Sequence, residues 1–115
     1  MRIFVLFLCG LTLPVWSAIS PTVPAGVYEC NGPYGIQTGP TLGIIDARRY
    51  RDFDGSTGDY RYDAKTALLE ITSGPLSGMQ YRRTGETLLR PLGRAGQLGP
   101  IACPINRGKR LTGRW

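Results

Sequence analysis

GDYRYDAKTALLEITSGPLSGMQYRR, residues 58–83, is the stretch whose reading decides the fold. In its first part Tyr60 and Tyr62 fall on one side, while Asp59, Arg61 and Asp63 fall on the other. Further on, Ala67, Leu69 and Ile71 oppose Leu68, Glu70 and Thr72, and Met79 and Tyr81 oppose Gln80 and Arg82. Successive side chains on a strand point to opposite faces, so an apolar period of two marks a half-buried strand. The joints between the runs carry turn chemistry. Asp63 is an acid at the start of a turn. In SGPLSG, residues 73–78, the proline suits a turn's second position and the glycines can take positive φ. Three strands joined by tight turns predict an antiparallel sheet.

The same alternation extends outward. Short runs at 26–31, 41–46, 49–53, 58–63, 67–72, 79–83, 86–90 and 99–104 read as strands. Sixteen glycines and nine prolines, all but Gly10 and Pro14 beyond residue 17, leave no stretch with the length and period of a helix. The expected fold is all-β: a small antiparallel β-sandwich or barrel-like meander of about seven to eight short strands with one disulfide. The expected core is Val27 or Tyr28, Leu42, Ile44, Tyr50, Tyr60, Tyr62, Leu69, Ile71, Met79, Tyr81, Leu88 and Ile101. Runs this short fall below the roughly 9–11 residues of a strand that spans a bilayer.

The chain opens MRIFVLFLCGLTLPVWSAIS. A positive start, an apolar run over 3–13 and small residues after Pro14 make the layout of a secretory signal peptide, too short to be a transmembrane helix. Val15 and Ser17 best fit the small-residue positions of a cleavage site, so 1–17 is read as the leader. Residues 18–104 are read as a β-domain, and 105–115 as a basic C-terminal tail. The destination is secreted or periplasmic, where two thiols left after Cys9 departs with the leader, Cys30 and Cys103, are expected to pair. No CxxC spacing and no histidine favour a redox or zinc role for them.

Charge is unevenly placed. Residues 18–104 carry nine basic and eight acidic side chains, whereas INRGKRLTGRW at the end carries Arg107, Lys109, Arg110 and Arg114 with no acid. Any contact with an anionic surface therefore falls to the tail, with Trp115 stacking or inserting. The competing expectation for 105–115 is a solvated, partly disordered end. Nucleic acid is not the expected partner.

One loop invites a chemical reading. Asp52, Asp54, Ser56 and Asp63 fall at positions 1, 3, 5 and 12 of a calcium-loop template. Thr57 stands where that loop needs glycine, and the alternation of 60–63 pulls Asp63 away as a strand. The stretch is therefore read as a hairpin turn, with Asp52, Asp54 and Ser56 as its only metal candidates. The lack of histidine removes the usual base for serine or cysteine nucleophiles, and no phosphate-loop or dinucleotide motif is present. No cofactor and no catalytic residue are expected. Tyr34, Arg107, Lys109, Arg110 and Trp115 are the candidates for binding.

GVYEC at 26–30, TLGII at 41–45 leading to Tyr50, GDYRYD at 58–63, SGPLSG at 73–78 and IAC at 101–103 form a pattern. It resembles small secreted bacterial β-proteins in which a GxYxC strand opens the domain and a late cysteine closes it. The resemblance covers residues 26–104 and implies the leader, the all-β fold and the Cys30–Cys103 pair. It brings no catalytic or binding residues. The expected function is a non-catalytic binding or envelope-associated domain, its partner an unknown protein or an envelope polysaccharide. A polysaccharide-binding module is the alternative, ahead of a calcium-dependent or carboxylate-based hydrolase.

Overall fold

Each alternating run becomes a strand in the computed structural model, which describes residues 19–32, 39–113 and 115. The leader at 1–17, together with Tyr34 and Arg114, lies outside the described residues. The strands are β1 (Gly26–Tyr28), β2 (Leu42–Ile44), β3 (Arg49–Arg51), β4 (Thr57–Asp63), β5 (Leu68–Ile71), β6 (Gln80–Gly85), β7 (Leu88–Pro91) and β8 (Cys103–Pro104). They pair antiparallel in chain order, each with the next. Among the described residues there is no helix long and apolar enough to cross a membrane.

The sheet curls until its first and last strands meet. Tyr28 bridges Ile105 and Asn31 bridges Ala102. The seam is stitched by Glu29 N–H to Pro104 O at 3.1 Å, Asn31 N–H to Ala102 O at 2.8 Å and Ala102 N–H to Asn31 O at 3.0 Å. The Cys30–Cys103 disulfide, 73 residues apart in sequence, lies within this seam. Closure decides between the two expected architectures: a nearly closed barrel, in which the pairing of β1 with β8 removes the free edges a sandwich would keep.

The inner faces make one core. Tyr28, Leu42, Ile44, Tyr50, Tyr60, Leu69, Ile71, Tyr81 and Leu89 are buried there, with both cysteines and Val23. Directly opposed residues share a face, so register carries the core around the barrel: Tyr28 opposes Leu42, Ile44 opposes Tyr50, Tyr60 opposes Ile71, Leu69 opposes Tyr81. Tyr62, Met79 and Ile101 pack against this core only partly buried. Leu88 is a correction: Leu89, not Leu88, is the buried residue of β7. Leu89 directly opposes Arg83, which shares the inner face of β6 with Tyr81, so Leu89 turns inward, and the bulge between Arg83 and Gly85 comes only after this pair. Two adjacent leucines gave no local signal of which would turn inward.

Tyr50 shows how a turn is tied to the barrel. Its hydroxyl donates to Ser73 O at 2.8 Å and accepts from Leu76 N–H at 2.9 Å, which seats the 73–78 turn over the barrel. The ring lies where β4 has Gly58; a methyl group there would sit 2.7 Å from the Tyr50 ring.

Candidate functional site

In β3 Tyr50 faces the core between Arg49 and Arg51, and just beyond the strand's end Asp52 is buried and Phe53 exposed. On the outer wall Val27 opposes Gly43, and Gly43 opposes Arg51. Gly43 brings no side chain to this row, and the notch it leaves is filled by the basic segment. A methyl on Gly43 would overlap the Trp115 indole and stand 3.0 Å from both Leu111 and Arg51. Glycine within a strand marks such a close approach. Val27 is consequently fully buried although it faces away from the main core.

Residues 105–113 and Trp115 thus pack onto the barrel, which corrects the expectation of a solvated tail. Asn106 N–H donates to Val27 O at 2.7 Å, and Ile105 N–H to Thr87 O at 3.0 Å. Lys109 forms an ion pair with Glu29, and Asn106 Nδ2 donates to the same carboxylate at 2.7 Å. These two hydrogen bonds, that from Lys109 first, hold the Glu29 carboxyl below its ordinary value despite partial burial. The Arg51 guanidinium lies 4.1 Å from the centre of the Trp115 ring and donates to the Leu111 carbonyl. A cation over an indole face is attractive, and this one also hydrogen-bonds the segment it holds. Trp115 Nε1 donates to Arg110 O at 2.7 Å, closing the end of the segment on itself.

The 52–56 loop borders the same place. The Asp52 side chain is buried, and its Oδ1 accepts from Asp54 N–H at 3.0 Å and Ser56 N–H at 2.9 Å. Asp52 N–H donates to Ser56 O at 2.8 Å, closing the hairpin, and Gly55 supplies the positive φ of +88° at its tip. Asp52 is therefore the frame of a turn, as the hairpin reading expects. Ser56 is exposed at the base of the loop. Asp63, at the far end of β4, accepts the Lys65 N–H of its own turn. The four residues of the calcium template are not brought together, and among the described residues no group of three or more Asp, Glu, Cys or His side chains is placed to hold a metal.

What the loop and the segment do bring together is a cleft of about 320 Å³ lined by Arg51, Phe53, Asp54 and Trp115. Phe53 is 56 % exposed, the most exposed large hydrophobic side chain among the described residues. The Asp54 carboxylate has no hydrogen-bond or ion-pair partner among the described residues. Of the other binding candidates, Arg107 and Arg110 are exposed on the docked segment, Lys109 is occupied by Glu29, and Tyr34 is outside the described residues. Two cleft residues, Arg51 and Phe53, were not singled out by the sequence reading. The signal for Phe53 was its phase: it continues the outer face of Arg49 and Arg51, where a phenylalanine has no core to enter.

The sequence reading also missed a polar cluster at one end of the barrel. Arg83 follows Tyr81 on the inner face of β6 and its side chain is fully buried. It donates to Ser20 O at 2.6 Å, Ser20 Oγ at 3.1 Å and Glu86 O at 2.9 Å, and its guanidinium lies 5.5 Å from the Tyr62 ring. The Glu86 carboxylate in turn accepts the Ser20 hydroxyl and N–H, which lowers its pKa. These bonds clamp the start of the described chain to the barrel end. Compared with known proteins, the chain matches no family model, no curated protein and no solved structure.

Proposed function

We propose that this chain is an exported, non-catalytic binding domain of the cell envelope, and that its binding face is the cleft between the 52–56 loop and the basic segment. The observation that carries the reading is Phe53. It is an exposed ring beside a half-buried tryptophan in a concave site, while the described tyrosines other than Tyr62 are buried in the barrel. Exposed aromatics in a concavity, with a few convergent polar groups, are what a binding site needs. The export setting rests on the leader-like opening and on a disulfide that persists only where thiols are kept oxidised.

The carboxylates support the non-catalytic part. Glu29, Asp46 and Glu86 are each held below their ordinary values by hydrogen bonds, the opposite of what a general acid requires. Glu70 is paired with Arg61 at 3.0 Å. Histidine, the commonest proton carrier, is absent from the sequence.

The test is sedimentation with isolated envelopes of the producing cells. The wild-type domain is expected in the pellet, and Phe53→Ala in the supernatant with an unchanged melting temperature. Equal partition of the two proteins, or no sedimentation of the wild type, overturns the reading.

A further inference from the structure

We infer that the cleft of Arg51, Phe53, Asp54 and Trp115 takes a neutral pyranoside, one or two residues of an uncharged polysaccharide. The inference rests on the reading of this cleft as the binding face and adds the class of ligand. Three features of the cleft select among charge classes.

A cation is disfavoured. The indole face that would attract one is already covered by Arg51 at 4.1 Å, and the guanidinium repels a second positive charge. An anion is disfavoured too, because Asp54 lines the same cleft and has no cation paired to it among the described residues. Arg51 is itself engaged by carbonyl oxygens: Nε donates to Asp52 O at 3.0 Å, Nη1 to Leu111 O and Nη2 to Phe53 O at 3.4 Å. With Nε, Nη1 and Nη2 each donating to a backbone carbonyl, Arg51 keeps only part of its planar fork for the bidentate recognition of a carboxylate or phosphate. Among the described residues the cleft is lined by one positive and one negative group, Arg51 and Asp54.

What remains is carbon surface next to a strong acceptor. Phe53 presents its ring to solvent, and the half-buried Trp115 lines the cleft beside it. The C–H face of a pyranose covers an exposed ring such as that of Phe53, and its ring-edge hydroxyls are donors. The Asp54 carboxylate accepts two of them, as charged acceptors make the stronger hydrogen bonds. Guanidinium N–H groups of Arg51 not held by the backbone carbonyls can donate to a sugar oxygen. The volume of about 320 Å³ holds a ligand of this size.

The experiment presents the full exported protein to immobilised oligosaccharides in three classes: neutral β- and α-glucans, mannans and galactans; uronate- or sulfate-bearing chains; and amine-bearing chitosan. Binding is then quantified by Trp115 fluorescence, the only tryptophan beyond residue 16. A neutral class is expected to bind and to quench Trp115. Asp54→Asn and Phe53→Ala are each expected to weaken that binding by roughly tenfold or more. Preference for the acidic or the amine-bearing class overturns the inference, as does neutral-glycan binding that both variants retain. Envelope sedimentation that depends on Phe53 without any neutral-glycan binding overturns this inference alone. Failure in both assays overturns the binding-face reading with it.

Discussion

Breaking the Cys30–Cys103 bond should lower the melting temperature by about 20 °C. The two cysteines are 73 residues apart, so their bond closes nearly the whole described domain into a ring in the unfolded state. The chain-entropy relation assigns such a loop about 15 cal/mol/K, or about 4 kcal/mol at 25 °C. A domain of this size loses roughly 5 °C of melting temperature per kcal/mol, which converts the bond to about 20 °C. Set against the 5–15 kcal/mol typical of whole proteins, that is a large fraction of all the stability present. The structure adds where the loss appears. The bond sits between the Tyr28–Ile105 and Asn31–Ala102 bridges, so the seam should open before the β3–β6 wall. The assay is thermal unfolding by circular dichroism with and without reductant, paired with hydrogen exchange. In the reduced protein the Asn31 and Ala102 amides should exchange faster than those of β4 and β5. A fall below about 5 °C, or seam amides as protected as those of the wall, would refute the reasoning. The seam would then be held by its hydrogen bonds and core contacts without help from the sulfurs.

Three further outcomes follow from particular contacts. Gly43→Ala places a methyl against the Trp115 indole, and overpacking of this kind costs about 1–3 kcal/mol; the expected readout is a red-shifted Trp115 emission and a lower melting temperature. Acid should release the basic segment. The native Glu29 pKa is depressed below its ordinary 4.5, so its contribution is complete above that value and is lost as pH falls through the lower native one. Trp115 fluorescence followed from pH 5 downward should report the detachment, and Glu29→Gln should remove most of that pH dependence. Alkali should act on the core. Burial raises Tyr28 and Tyr60 to about 12, so the unfolded state loses protons first; the stability these rings contribute is complete below 10 and declines as pH rises through 12. Ultraviolet titration should show these phenols ionising together with unfolding; independent ionisation near 10 would contradict their burial.

The strands were legible because period two is a local property. Tyr60 and Tyr62 against Asp59, Arg61 and Asp63 need only the next residue to declare a face, and each of the eight expected runs overlaps an observed strand, with β4, β6 and β7 reaching one or two residues beyond their runs. Turn chemistry was equally local: Asp52 and Asp63 each hydrogen-bond backbone N–H groups within four residues. The pairing of Cys30 with Cys103 followed from there being two thiols in a chain read as exported. The choice between Leu88 and Leu89 was not legible, because it is set by the pairing of Leu89 with the inward-facing Arg83 of the neighbouring strand. Nor was the buried Arg83, whose partners at Ser20 lie 63 residues earlier in the chain.

The sequence by itself determined the all-β class, the approximate strands, the hairpin nature of 52–56 and the concentration of positive charge after residue 105. Tertiary structure alone decided that the sheet closes on itself, that residues 105–113 and Trp115 lie on its wall, and that Phe53 and Asp54 meet Trp115. The physical reason is range. Alternation, turn propensity and charge density are set by neighbours in the chain, whereas closure and the cleft depend on groups such as Gly43 and Trp115, which become neighbours only once the barrel has curled and the notch at Gly43 is there to be filled.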